Sequence, residues 1–122
     1  MKVLLVATGG ALGSVARYGV STVVQRLTPG GFPSGTFVVN LAGCLAFGVL
    51  VGGAEQRFVL TPAARAFLLV GVLGGFTTFS AFTYDNALLV QHGATLRACA
   101  NAIGQVVLGL AAFWSGYALF TA

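Results

Sequence analysis

The chain has 122 residues, of which 57% are apolar and 7% charged, and its formal net charge is +4. A soluble domain normally carries about 25% charged residues, so six Lys and Arg with two Asp and Glu cannot solvate a globular surface. This composition excludes an ordinary cytosolic enzyme, a nucleic-acid-binding module and a disordered chain; it reads as an integral membrane protein whose basic residues set topology.

A membrane-spanning helix needs about 20 apolar residues. Four stretches fit, at about 3–24, 34–54, 64–90 and 96–120, forming one all-α transmembrane domain over 1–122. The start, Met1-Lys2-Val3-Leu4-Leu5-Val6-Ala7, could pass for a signal peptide. The apolar run continues to about Val24, however, which is long enough to span. Within it Ser14, Arg17 and Ser21 fall on one helical face. Thr28-Pro29-Gly30-Gly31-Phe32-Pro33 then cannot continue a helix.

In the second stretch Thr36, Asn40 and Cys44 step four apart, with Phe47 close to the same face. Glu55-Gln56-Arg57 is the most charged triplet, and Thr61-Pro62 reads as an N-cap followed by proline at the first helical position. The third stretch would be roughly 40 Å long at 1.5 Å per residue, more than the hydrocarbon thickness of about 30 Å. Its middle holds Gly74-Gly75 followed by Phe76-Thr77-Thr78, and paired glycines with β-branched threonines are poor helix formers. A break there would free backbone carbonyls at mid-membrane depth. Such backbone is tolerated only if it is buried in protein, binds an ion or lines water. Free carbonyls suit a hard cation such as Na⁺, and the N-terminal end of the following half-helix suits an anion. Phe79 and Phe82 share a face of that half-helix. Aromatic stripes are usually packing, but the positive edge of a phenyl ring can also attract a small anion.

Gln91-His92-Gly93 separates the last two stretches, and His92 in so short a loop reads as solvated. In the fourth stretch Asn101 and Gln105 lie one turn apart. Polar groups in lipid need partners or a purpose, and interhelical hydrogen bonding accounts for many of them. Four helices of this length enclose little space, so a pathway for ions implies an oligomer. Gly9/Gly13, Gly48/Gly52, Gly71/Gly75 and Ala112/Gly116 are spaced for close helix packing. Cys44 and Cys99 suggest neither a disulfide framework nor a zinc site.

Lys2, Arg57 and Arg65 fall on one side of the membrane, Arg26 and Arg97 on the other, and Arg17 belongs to neither. This near balance permits insertion both ways, and hence an antiparallel homodimer.

At the third stretch the chain becomes recognisable. Gly74-Gly75-Phe76-Thr77-Thr78-Phe79-Ser80-Ala81-Phe82 closely resembles the GGxTTFSTF signature of the Fluc (CrcB) fluoride channels. Gly9-Gly10-Ala11-Leu12-Gly13-Ser14-Val15-Ala16-Arg17-Tyr18 looks like that family's first-helix motif, and Gly35-Thr36-Phe37-Val38-Val39-Asn40-Leu41-Ala42-Gly43 like its GTxxVNxxG motif. The resemblance covers nearly the whole chain. It implies an antiparallel, dual-topology homodimer with two fluoride pores in a prokaryotic plasma membrane. Phe79 and Phe82 would line each pore, Asn40 would donate its amide to fluoride, and Ser80 would add a hydroxyl. Main-chain carbonyls of Gly74 and Thr77 from both subunits would hold a structural Na⁺ at the dimer centre, and Arg17 would stand at a pore mouth or brace the fold. Ala81 and Asp85 depart from the commoner Thr and Glu, and Gly104, Gln105, Leu108 and Ala112 from the serines that some members carry in the fourth helix.

Fluoride is costly to dehydrate unless donors replace its water, and several weak, neutral sites in series conduct without trapping it. The implied activity is passive fluoride export, with lipid and a second copy of the chain as partners. No enzyme constellation competes: Gly9, Gly10 and Gly13 lack the strand and acidic residue of a dinucleotide site. A small multidrug-type proton-coupled antiporter is the alternative. It needs a titratable carboxylate in the membrane, for which Asp85 is the only candidate. A structural or assembly subunit without ion flux is a further one.

Overall fold

The computed structural model describes residues 1–121; Ala122, the last residue of the expected domain, lies outside them. The chain is all-helical, with four helical segments long and apolar enough to cross a membrane. The first is α1 (Lys2–Leu27) and the second α2 (Ser34–Gln56). The third runs over Pro62–Gln91 in pieces. These are α3 (Pro62–Arg65), a π-helical stretch (Ala66–Leu73), α4 (Gly74–Phe76) and, after two non-helical residues, α5 (Phe79–Gln91). The fourth is α6 (Thr95–Ala118).

Local chemistry sets the ends. Gly30 and Gly31 turn the chain between α1 and α2 with φ of 118° and 80°, a region where a side chain would be strained. The Thr61 hydroxyl caps α3 by accepting the Ala64 N–H at 3.1 Å, with Pro62 in the first turn. Helices α1 and α2 run past the expected Val24 and Ala54, to Leu27 and Gln56. Apolarity marks where the hydrocarbon ends, whereas a helix continues as long as its backbone can bond itself. Helix α6 stops at Ala118, short of the expected Phe120, and Leu119 and Phe120 form a turn.

The helices pack as two glycine-mediated pairs. Helix α1 lies on the π-helical stretch and α4, and α2 lies on α6. A Cβ at Gly13 would stand 2.0 Å from the Val72 carbonyl oxygen, and one at Gly48 2.0 Å from that of Phe113. No residue with a side chain fits either contact, which lets dispersion between backbones hold helices that gain nothing from the hydrophobic effect in lipid. The third segment joins the two pairs: α4 packs on α1, whereas α5 packs on α6.

Candidate functional site

The crossover between the pairs is made at Thr77 and Thr78. Both are extended, with φ/ψ of −86°/157° and −152°/121°. Their side chains close the flanking helices. The Thr77 hydroxyl donates to the Leu73 carbonyl at 2.9 Å, and the Thr78 hydroxyl accepts the Ala81 N–H at 3.2 Å, capping α5. A side-chain oxygen thus takes one of the orphan donors at the start of α5.

The extended pair leaves backbone groups for other partners, and Asn40 takes two of them. Its Oδ1 accepts the Thr78 N–H at 2.9 Å, and its Nδ2 donates to the Thr78 carbonyl at 3.0 Å. Asn40 therefore pairs with Thr78 as a neighbouring strand would. Because Thr78 N–H is not returned to Gly74, the carbonyl of Gly74 has no helical partner. The carbonyl of Thr77 loses its own in the same way, since Ala81 N–H goes to the Thr78 hydroxyl.

Asn40, Thr77, Thr78, Phe79, Phe82 and Gln105 line one cleft of about 430 Å³, with Phe47 and Phe113 along its apolar side. The Phe79 and Phe82 rings stand 5.5 Å apart, tilted by 40°. Phe79 is 78% exposed, so this chain alone does not cover that face. The lining holds neutral donors and phenyl rings, with no Lys, Arg, Asp or Glu. Such a surface can attract an anion weakly and desolvate it partly, without offering a cation to hold it.

The remaining expected residues lie near this cleft rather than in it. Ser80 is exposed, with its hydroxyl 3.3 Å from that of Thr78. Gly74 is exposed on α4. Arg17 reaches from α1 to α4, where its Nε donates to the Gly75 carbonyl at 3.0 Å. Asp85 lies elsewhere, in a wider cleft of about 940 Å³ shared with Thr36, Arg26, His92 and Arg97, where Arg97 donates to the Gly30 carbonyl at 2.6 Å.

Polar contacts continue from Asn40. Its Nδ2 also donates to Gln105 Oε1 at 2.7 Å, Gln105 Nε2 to Asn101 Oδ1 at 3.0 Å, and Asn101 Nδ2 to Asn86 Oδ1 at 2.8 Å. Asn101 is fully buried. Asn101 and Gln105 stood out in the sequence, but Asn86 did not. The signal was there, since Phe79, Phe82 and Asn86 follow the i, i+3, i+7 spacing of one helical face.

This geometry can be set beside known proteins. The family model described as CrcB-like protein, Camphor Resistance (CrcB), matches residues 4–117. The chain belongs to the CrcB family. Among its CrcB relatives is the fluoride-specific ion channel FluC of Nitratidesulfovibrio vulgaris (strain DSM 19637 / Miyazaki F), 50% identical over 115 residues, which cover 94% of this chain and 93% of that one. A protein of the same name from Paracoccus denitrificans (strain Pd 1222) is 53% identical over 113 residues, covering 93% and 89% of the two chains. A third, from Solibacter usitatus (strain Ellin6076), is 43% identical over 116 residues and 95% of each chain.

Proposed function

We propose that this CrcB-family chain is a fluoride-selective channel, not an enzyme, and that it exports cytoplasmic fluoride passively down its electrochemical gradient. Hydrogen fluoride enters a cell as the neutral acid and dissociates in the more alkaline interior, and the channel releases the anion. The carrying observation is the convergence of Asn40, Thr78, Phe79 and Phe82 on one charge-free cleft, at the point where the third segment is extended. Relatives of near-equal length named fluoride-specific ion channels support the same reading. The chain would work as a multi-pass protein of a bacterial plasma membrane, the inner membrane in a Gram-negative cell.

A cleft open on one side conducts nothing selectively. The exposure of Phe79 supports a second copy covering that face, and the balanced flanking charges favour an antiparallel, dual-topology homodimer with two pathways. The Gly74 and Thr77 carbonyls fit a structural Na⁺ between the copies. They are neutral oxygens freed from helical bonding, suited to a hard monovalent cation. Among the described residues no cluster of His, Cys, Asp and Glu offers a competing metal site. Two carbonyls per chain are too few for one copy, so the ion would be shared. Its role would be to neutralise those dipoles and fix the break. Ser80 would add a hydroxyl beside the pathway.

The proton-coupled antiporter finds no support in the relatives' names. Asp85 also lies away from the Asn40 cleft. The test is fluoride efflux from liposomes holding the purified protein, read with a fluoride electrode. Rapid efflux without a proton gradient, with chloride retained, supports the channel. Equal chloride flux or dependence on a proton gradient overturns it, and no flux at all points to an assembly subunit.

A further inference from the structure

Asn40 has two N–H bonds, and both are used: one goes to the Thr78 carbonyl, the other to Gln105 Oε1. A donor already engaged can meet an anion only by exchanging partners. The orientation of every amide here is dictated rather than free. Thr78 N–H is a backbone donor and must face an oxygen, so Oδ1 of Asn40 points at it. The Asn40 amide nitrogen then faces Gln105, which must answer with its own oxygen. Gln105 Nε2 therefore faces Asn101, and Asn101 Nδ2 faces Asn86. A single backbone N–H at the extended pair thus sets four side-chain amides across α2, α6 and α5.

Asn40 and Gln105 both line the cleft, whereas Asn101 is sealed behind them. Gln105 Oε1 is a neutral acceptor on the N–H that an anion in the cleft would want. Its unbranched stem can swing, and its Nε2 bond to Asn101 sets the position to which it returns. We propose that Gln105 is the positioning residue of this pathway: its Oε1 occupies an Asn40 N–H between ion passages, yields it to an arriving anion, and takes it back when the anion leaves. This rests on the fluoride-channel reading of the same cleft. Exchange of this kind solves two problems at once. An unpartnered amide in the membrane interior would be costly, and an N–H held open would grip fluoride too long for conduction.

The role separates from simple packing in the concentration dependence of flux. Gln105→Met keeps an unbranched chain of similar volume but removes the competing carbonyl. A neutral hydrogen bond contributes on the order of 1 kcal/mol, about fivefold in affinity. The half-saturating fluoride concentration should therefore fall about three- to tenfold, and the saturated efflux rate should fall with it. Loss of packing alone would lower the rate and leave half-saturation unchanged or raised, and that result overturns the proposal. A second measurement uses the unmodified protein, with ¹⁵N in its Asn and Gln side chains. On titration with sodium fluoride against sodium chloride, the Asn40 and Gln105 amide signals should move with one midpoint. Movement of Asn40 without Gln105, or of neither, contradicts the exchange. Wild-type liposomes that pass chloride as well as fluoride would sink the channel reading itself, whereas a selective wild type with an unshifted Gln105→Met sinks the Gln105 role alone.

Discussion

Asn40→Leu and Asn40→Asp should both stop fluoride flux but differ sharply in stability. Leucine has as many side-chain heavy atoms as asparagine but no polar atom. It would strand the Thr78 N–H, the Thr78 carbonyl and Gln105 Oε1, which Asn40 meets at 2.9, 3.0 and 2.7 Å. A polar group left unpaired away from water costs about 1–3 kcal/mol. Gln105 has rotational freedom to recover part of its loss, so the total should come to about 3–6 kcal/mol. Aspartate loses less. Its first oxygen still accepts the Thr78 N–H. If protonated, its O–H replaces one amide N–H. If ionised, Gln105 turns its amide to donate, Asn101 and Asn86 turn in sequence, and the ladder runs backwards with the same number of bonds. Compared at a pH low enough to keep the carboxyl neutral, only one acceptor, the Thr78 carbonyl or Gln105 Oε1, is left without a donor, at about 1–3 kcal/mol; at neutral pH an ionised carboxylate adds the cost of a charge held away from water. The carboxylate would nevertheless repel an anion from the cleft. The assays are reversible unfolding in mixed dodecyl sulfate micelles and fluoride efflux from liposomes. Equal stability of the two variants at that low pH would refute the hydrogen-bond reasoning, and wild-type flux through Asn40→Asp would refute the placement of Asn40 on the pathway.

Further outcomes follow from the same geometry. Phe82→Ile keeps an apolar side chain but removes the ring edge, so efflux should drop about three- to tenfold for the loss of an aromatic contact of 0.5–1.5 kcal/mol, with the elution profile of the protein unchanged. Gly48→Ala drives a methyl group against the Phe113 carbonyl; separating α2 from α6 should cost about 1–3 kcal/mol, seen as a lower melting temperature in detergent. Arg17→Gln removes the charge-assisted bond to the Gly75 carbonyl and should destabilise by about 1.5–3 kcal/mol without changing fluoride-over-chloride preference. Replacing Na⁺ by N-methylglucamine during purification should abolish flux, with recovery on adding Na⁺ back; unchanged flux after exhaustive exchange would remove the ion from the account.

The spans were legible because they rest on composition and length, which a bilayer constrains more tightly than water does. The Gly74-Gly75 and Thr77-Thr78 pairs marked a place where helix would form poorly; the two glycines are nevertheless helical in α4, and only Thr77 and Thr78 are extended. Asn40, Phe79 and Phe82 could be chosen because each is chemically out of place or regularly spaced in an apolar run. Sequence could not say which amide meets which, since the links from Asn40 to Thr78 and to Gln105 cross between helices and depend on their axial offset. Asn86 was missed for that reason: its partner is Asn101 on α6, not a neighbour along α5. The π-helical stretch over Ala66–Leu73 was equally hidden. Its sequence, Ala-Phe-Leu-Leu-Val-Gly-Val-Leu, reads like any apolar span, and the wider winding has no signature in such a run.

The proposed function is selective, uncoupled fluoride conduction through the cleft at Asn40. Its most direct measurement is the reversal potential across a planar bilayer holding the protein, with fluoride on one side, chloride on the other and pH varied independently. The channel should give a potential that follows the fluoride gradient alone, insensitive to pH and chloride. A potential near zero in the bi-ionic condition, or one that moves with the proton gradient, would contradict it.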